Sequence, residues 1–225
     1  MSLLAAIGMG KRLPGGVTLV QDIDLVIEAG EFVAVIGPSG SGKSSLLYLL
    51  GLLDRPSEGR ILLDGADTAG LAPADLAALR LSRIGFVFQF HFLLPEFDAL
   101  DNVLIPIRRL DRLRGRDARA RANALLDALG LAGQGHKLPE QLSGGMRQRA
   151  AIARALANDP TLILADEPTG NLDTKNAAAV FDIFERLARD QGRAVVTVTH
   201  DVELARRATR RVHLVDGRVV SDERG

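Results

Sequence analysis

Residues 37–45 read Gly37-Pro38-Ser39-Gly40-Ser41-Gly42-Lys43-Ser44-Ser45, a glycine, four residues and then Gly-Lys-Ser. That spacing builds a phosphate-binding loop when a strand precedes it and a helix follows. Both flanks are present: Phe32-Val33-Ala34-Val35-Ile36 is apolar throughout and suits a buried strand, and Leu46-Leu47-Tyr48-Leu49-Leu50 reads as the start of a helix. The glycines let successive N–H groups turn inward, and the helix N-terminus adds partial positive charge, so the loop forms a nest for polyphosphate. Lys43 is then expected to reach the β- and γ-phosphates, and the Ser44 hydroxyl to bind Mg²⁺. The bare pattern arises by accident in roughly one chain in a hundred of this length, and the flanks make accident rarer still.

Composition limits what such a loop can belong to. A chain of 225 residues, 47% of them hydrophobic, can bury a core without staples, as one large α/β domain or two small ones. Its 28 basic and 28 acidic residues cancel, so no whole-molecule field points to nucleic acid or to an anionic membrane surface. Without cysteine there are no disulfides, zinc–thiolate sites or thiol chemistry, which suits a reducing compartment. Residues 1–8 lack the features of a secretory signal, and the longest apolar run, residues 46–53, is too short to span a bilayer. A soluble, cytoplasmic protein is expected.

Along the chain, residues 24–28 and 60–64 are short strand-like runs ended by Gly30 and Gly65, a small β layer around the loop. Residues 84–88 are a further buried strand that delivers Gln89 at its end. From about Asp98 to Asn158 helix formers dominate, with apolar spacing of three and four over residues 118–129 and 146–157, so a helical lobe is inserted into an α/β core. The core resumes with a strand at 162–165 that ends on Asp166-Glu167, a helix at 174–188, a strand at 194–198 that ends before His200, and a hairpin on Asp216-Gly217. This alternation predicts an α/β fold with a mainly parallel sheet covered on both faces.

Open parallel sheets bind ligands at the carboxyl ends of their strands, where Asp166 and Glu167 fall. Because a strand alternates sides, the two carboxylates can serve different tasks: Asp166 on the metal, Glu167 toward a water in line with the γ-phosphate. Leu142-Ser143-Gly144-Gly145 is a second glycine-rich turn that opens a helix. Ser143 is a natural N-cap there, and the uncovered N–H groups make a second anion site. Two phosphate sites so far apart in one chain suggest that they meet across a dimer.

Residues 37–45, Gln89, Leu142-Ser143-Gly144-Gly145, residues 162–167, Asn171-Leu172-Asp173 and His200 occur in the order found in the ATP-binding cassette of ABC proteins, which the chain resembles from about residue 17 to 220. The resemblance implies a single nucleotide-binding domain over 1–225, with a P-loop NTPase (RecA-like) core at 1–97 and 159–225 and a helical subdomain at 98–158. It implies ATP and Mg²⁺ sandwiched between two copies of the chain, the phosphate loop of one facing Ser143, Gly144 and Gly145 of the other. Gln89 is then the residue near Mg²⁺ and the attacking water, Asp166 a metal ligand, Glu167 the general base, Asp173 a residue of the loop crossing the dimer interface, and His200 a contact to the γ-phosphate. Two positions depart from the family: Leu13 stands where an adenine-stacking aromatic is usual, just before the first strands, and Met146 where Gln or Glu is common.

Five of the eight Phe residues fall between Phe86 and Phe97. Phe86 and Phe88 alternate as strand residues, whereas Phe90, Phe92 and Phe97 belong to a loop, and clustered loop aromatics mark a partner site. In ABC cassettes this region receives the membrane permease, so docking is expected near Phe90 to Phe97. The wording from Gln89 to Phe97, followed by Asp101-Asn102-Val103, looks like the lipoprotein-releasing (LolD-like) and macrolide-export (MacB-like) subfamily. That likeness implies an ATPase at the cytoplasmic face of the inner membrane, powering release or export of lipoproteins or related lipophilic cargo. The alternative is a cell-division-type cassette that signals to envelope enzymes without moving cargo. The arginines from Arg108 to Arg121 are interrupted by Asp111 and Asp117 and lack interleaved aromatics, so they read as a solvated helix face and not as a nucleic-acid patch.

Overall fold

Runs that are apolar at every position become the inner strands of a six-stranded sheet. The computed structural model describes residues 2–225. In chain order its elements are β1 (Ser2–Arg12), β2 (Thr18–Glu28), β3 (Phe32–Ile36), α1 (Lys43–Leu50), β4 (Glu58–Leu63), β5 (Ala66–Asp67), α2 (Pro73–Arg83), β6 (Ile84–Phe88), α3 (Ala99–Leu110), α4 (Gly115–Ala128), a 3₁₀ turn (Pro139–Gln141), α5 (Gly144–Ala155), β7 (Leu162–Asp166), α6 (Thr174–Arg189), β8 (Ala194–Val198), α7 (Val202–Ala205), β9 (Arg210–Val215) and β10 (Arg218–Arg224). The central sheet has the order β10-β9-β3-β8-β7-β6, parallel from β9 to β6 with β10 antiparallel at one edge. Every residue of β3, β7 and β8 is buried, as strands covered on both faces require.

Alternation along β3 sorts the interior into two cores. Phe32, Ala34 and Ile36 pack with apolar residues of α3, α4, α5 and α6. Val33 and Val35 point the other way, into a core shared with α1 and a second, antiparallel sheet of order β2-β1-β4-β5. The phosphate loop and its helix therefore lie between the two sheets, and the helices of residues 99–155 cover the opposite face. Among the described residues no helix is long and apolar enough to cross a membrane.

Three features differ from the sequence reading. Residues 2–12 form a long strand, so Lys11 and Arg12 end the first strand and Leu13 opens the turn to the second, instead of preceding the strands. The strand escapes a period-two reading because it shifts register between Ala6 and Met9, around Gly8 at φ 53°. Helix α2 begins at Pro73 and was not anticipated; of its residues only Leu76 is buried, so it lacks a wide apolar stripe. Helices α4 and α5 begin three and two residues before the periodic stretches 118–129 and 146–157, since a first turn needs no apolar partner.

The layers are tied by Arg210 on β9, which is 6% exposed. Its guanidinium donates to both carboxylate oxygens of Glu31, to Asp222 on β10 at 2.7 and 2.6 Å, and to the Val26 carbonyl of β2 at 2.6 Å. Those partners hold the guanidinium above its ordinary value, Asp222 first, and lower the Asp222 carboxyl in turn. Replacing Arg210 by Met takes the shared cation from Asp222 and Glu31, of which Glu31 keeps Arg224 at 3.3 Å and the Glu28 N–H at 2.9 Å, and is expected to cost about 2 kcal/mol. Thermal unfolding should then begin about 4–8 °C lower.

Candidate nucleotide site

The loop between β3 and α1 is shaped by close backbone approach. A Cβ on Gly37 would lie 2.0 Å from the Leu214 carbonyl oxygen, and one on Gly42, at φ 97°, 2.3 Å from that of Leu19. Gly40, at φ 78°, faces open space. Lys43 turns back over the loop and donates to the carbonyls of Gly37 at 2.9 Å and Pro38 at 2.8 Å. The Ser41 hydroxyl is buried and has no hydrogen-bond partner. The loop thus holds a cation over its own carbonyls and keeps an unsatisfied hydroxyl, an arrangement that an incoming polyanion would complete.

Ser44, on the first turn of α1, donates to Asp166 Oδ1 at 2.9 Å. Asp166 closes β7 and is 9% exposed. Two hard oxygen donors side by side suit Mg²⁺, which takes few protein ligands and completes its shell from phosphate and water. No cluster of three or more His, Cys, Asp or Glu that could hold a metal ion occurs among the described residues. Tyr48 lies one helical turn beyond Ser44 on the same face; burial pushes its phenol up, and the adjacent Asp166 carboxylate adds to the rise.

Glu167 leaves the strand with φ 48°, its N–H bonded to the Val198 carbonyl at 3.0 Å. Its carboxylate meets His200 Nδ1 at 2.5 Å, while Asp166 meets Ser44. The two neighbours do part ways, and the left-handed backbone at Glu167 contributes to the separation as well as strand alternation. Gln89 follows β6, and a Cβ on Gly170 would come within 2.7 Å of its side-chain nitrogen, so the glutamine lies along the turn after Glu167. Asn171 donates to the Gln89 carbonyl at 3.4 Å. Glu167, Gln89 and His200 thus approach one another around the ends of β6, β7 and β8.

Ser143 caps α5, accepting from the Met146 N–H at 3.3 Å. Gly145 is tight against Asn176, and Asn176 bonds through backbone and side chain to Asp173, the cap of α6. Those bonds hold the Asp173 carboxyl below its usual range. Helix α5 packs on β6, α3 and α4, whereas α1 packs on β7, β8 and β2, so the two glycine-rich turns belong to different regions of the chain.

Phe90 and Phe92 are each 61% exposed, with Leu94 and Phe97 exposed beside them. A groove of 440 Å³ opens nearby, walled by Leu53, Ala77, Phe86, Phe88, Ile105 and Pro106, with Arg80 and Arg109 also lining it. The sequence reading missed Gln148 and Arg154 of α5, whose side chains reach the backbone on either side of Gln89. Only their place behind the Ser-Gly-Gly turn hinted at them. Among the described non-glycine residues, eight have positive φ; five are Asp, which tolerates it, and the others are Leu52, Phe92 and Glu167.

Comparison with known proteins agrees with this arrangement. The family model for ABC transporters matches residues 20–170. The chain is 51% identical over 211 residues to the lipoprotein-releasing system ATP-binding protein LolD of Bordetella pertussis, covering 93% of this chain and 90% of that one. It is 52% identical to a macrolide export ATP-binding/permease protein MacB of Sodalis glossinidius, over 92% of this chain but 32% of that protein. Among solved structures, the dimeric post-hydrolysis state of the ATP-binding cassette MJ0796 bound to ADP and Pi superposes with a TM-score of 0.90 at 39% identity, covering 98% of both chains. With its phosphate loop, its Ser-Gly-Gly turn and this coverage, the chain belongs to the ABC transporter family, as one of its ATPase cassettes.

Proposed function

We propose that this cassette hydrolyses ATP as a homodimer at the cytoplasmic face of the inner membrane and powers release of lipoproteins, or of related lipophilic cargo, through a partner permease. The juxtaposition of Ser44 and Asp166 at 2.9 Å beneath the phosphate loop carries the catalytic part of this reading. Similarity to LolD carries the cargo.

In this reading Lys43 exchanges the carbonyls of Gly37 and Pro38 for phosphate oxygens, and residues 37–45 wrap the phosphates with their N–H groups. Ser44 and Asp166 would hold Mg²⁺, with Gln89 beside the turn at Gly170 as a further ligand, and the ion would supply neutralisation of phosphate charge. Glu167 takes the proton of the attacking water. His200, bonded to Glu167, steadies that carboxylate and turns to the γ-phosphate when the dimer closes. Ser143, Gly144 and Gly145 of the second copy offer the N-terminus of α5 to the same phosphates. The exposed aromatics from Phe90 to Phe97 and the adjoining groove form the permease seat, an apolar surface of the kind partners cover.

Glu167→Gln is expected to keep ATP binding, accumulate a closed dimer on size-exclusion chromatography, and lose turnover by at least about a hundredfold, the contribution typical of a positioned base. Retained turnover would remove Glu167 from that role. Lys43→Ala should weaken nucleotide binding itself, read by equilibrium titration with a fluorescent ATP analogue. At the base, Leu13 offers apolar contact without a ring, so Leu13→Tyr should tighten ATP binding about fivefold or more, the lower range of base–aromatic stacking. Copurification with tagged Glu167→Gln in the presence of ATP tests the cargo: a permease carrying bound lipoprotein supports the proposal, and cell-wall enzyme regulators in its place would refute it.

A further inference from the structure

The side-chain hydrogen bonds that anchor the aromatic loop come from the helices of residues 99–155. Arg154, in the last turn of α5, donates to the Phe92 carbonyl at 2.6 Å and to the His91 carbonyl at 2.8 Å. Asn102 of α3, fully buried, accepts from the Leu94 N–H at 2.8 Å and donates to the carbonyls of Leu94, Phe97 and Asp98 at 2.9–3.1 Å. From the central sheet the loop receives an edge-on ring contact, Phe88 on Phe92. Just before the loop, Gln148 of α5, 2% exposed, donates to the Phe88 carbonyl at 3.1 Å. Helix α5 therefore grips the chain on both sides of Gln89.

Arg154 is an unusual choice for a fastening. Among the described residues no carboxylate pairs with it, and burial pulls its guanidinium down from its ordinary value. A half-buried cation satisfied by two consecutive carbonyls fixes the direction of both peptide planes, which a single-pronged donor cannot do. One of those carbonyls belongs to Phe92, whose φ of 44° a bulky residue does not adopt unaided. Burial, and then the charges of Arg147 and Arg154, hold the imidazole of neighbouring His91 below its ordinary value.

We infer that Arg154 is a positioning residue that hangs the aromatic loop on α5, so that the loop moves with the helix bearing Ser143 and not with the central sheet. The functional consequence rests on the reading above, in which α5 meets the nucleotide of a second copy and the loop meets a membrane partner. Closure of the sandwich then displaces Phe90 and Phe92 together with α5, and the clamp transmits ATP binding to the docking surface without a hinge in between.

The absence of cysteine permits paired spin labels at introduced sites. Phe90→Cys is combined with Arg116→Cys at an exposed position of α4, reporting loop against helices, or with Arg60→Cys at an exposed position of β4, reporting loop against core. In the Glu167→Gln background, double electron–electron resonance should give a narrow loop-to-helix distance that ATP leaves unchanged, and a loop-to-core distance that ATP shifts. Adding Arg154→Met should broaden the first distribution even without nucleotide and abolish the ATP-driven shift in the second, with ATP affinity retained. Arg154→Lys, which keeps the stem and charge but not the fork, should broaden it less, and carries the same comparison should the Met variant fail to fold. Unchanged distributions in both variants would overturn the inference. Loss of ATP-driven dimer closure with intact Arg154 would instead refute the proposed function, while the nucleotide-free distributions would still decide the clamp.

Discussion

Everything at the nucleotide site depends on how closely the phosphate loop is wedged between two other strands. At Gly37 the backbone presses on the Leu214 carbonyl of β9, and at Gly42 on the Leu19 carbonyl of β2, with no room at either point for a single carbon. The antiparallel layer is therefore a wall of the site, not an ornament on the sheet. With the loop fixed from both sides, α1 starts at a defined place and direction. Ser44 then falls opposite the end of β7, where the strand delivers Asp166.

The central sheet converts that placement into a division of labour. Its two faces feed separate cores, one shared with α1 and the antiparallel layer, the other with the helices of residues 99–155. Asp166 belongs to the first side, while Glu167, bent away by its left-handed backbone, meets His200 at the end of β8. Two neighbouring carboxylates thus face different partners, set apart by one peptide unit. Gln89 and the turn at Gly170 close the gap between the strand ends.

What could be read from the sequence was whatever is encoded locally. The phosphate loop, the strands read at 84–88, 162–165 and 194–198 and the Ser143 cap each carry their signal within a few residues. The first strand was hidden by Gly8 and its register shift, because a period-two pattern breaks where a strand bulges. Helix α2 was hidden because it buries little of itself. Arg154 and Gln148 were hinted at only by their place behind the Ser-Gly-Gly turn: their partners are carbonyls some sixty residues earlier, and a carbonyl leaves no trace in the amino-acid alphabet.

Leu52, Phe92 and Glu167 stand in a conformation that their side chains disfavour, and each is pinned by a hydrogen bond from another element: Arg80 to the Leu52 carbonyl, Arg154 to that of Phe92, and the Glu167 N–H to Val198. One lies in the turn after β7, one in the aromatic loop, and one beside the groove, so the backbone is held against its preference at three separate turns. Each costs roughly 1–3 kcal/mol to maintain. These three positions resemble a set latch: any event that loosens one of the pins releases the energy stored at that turn.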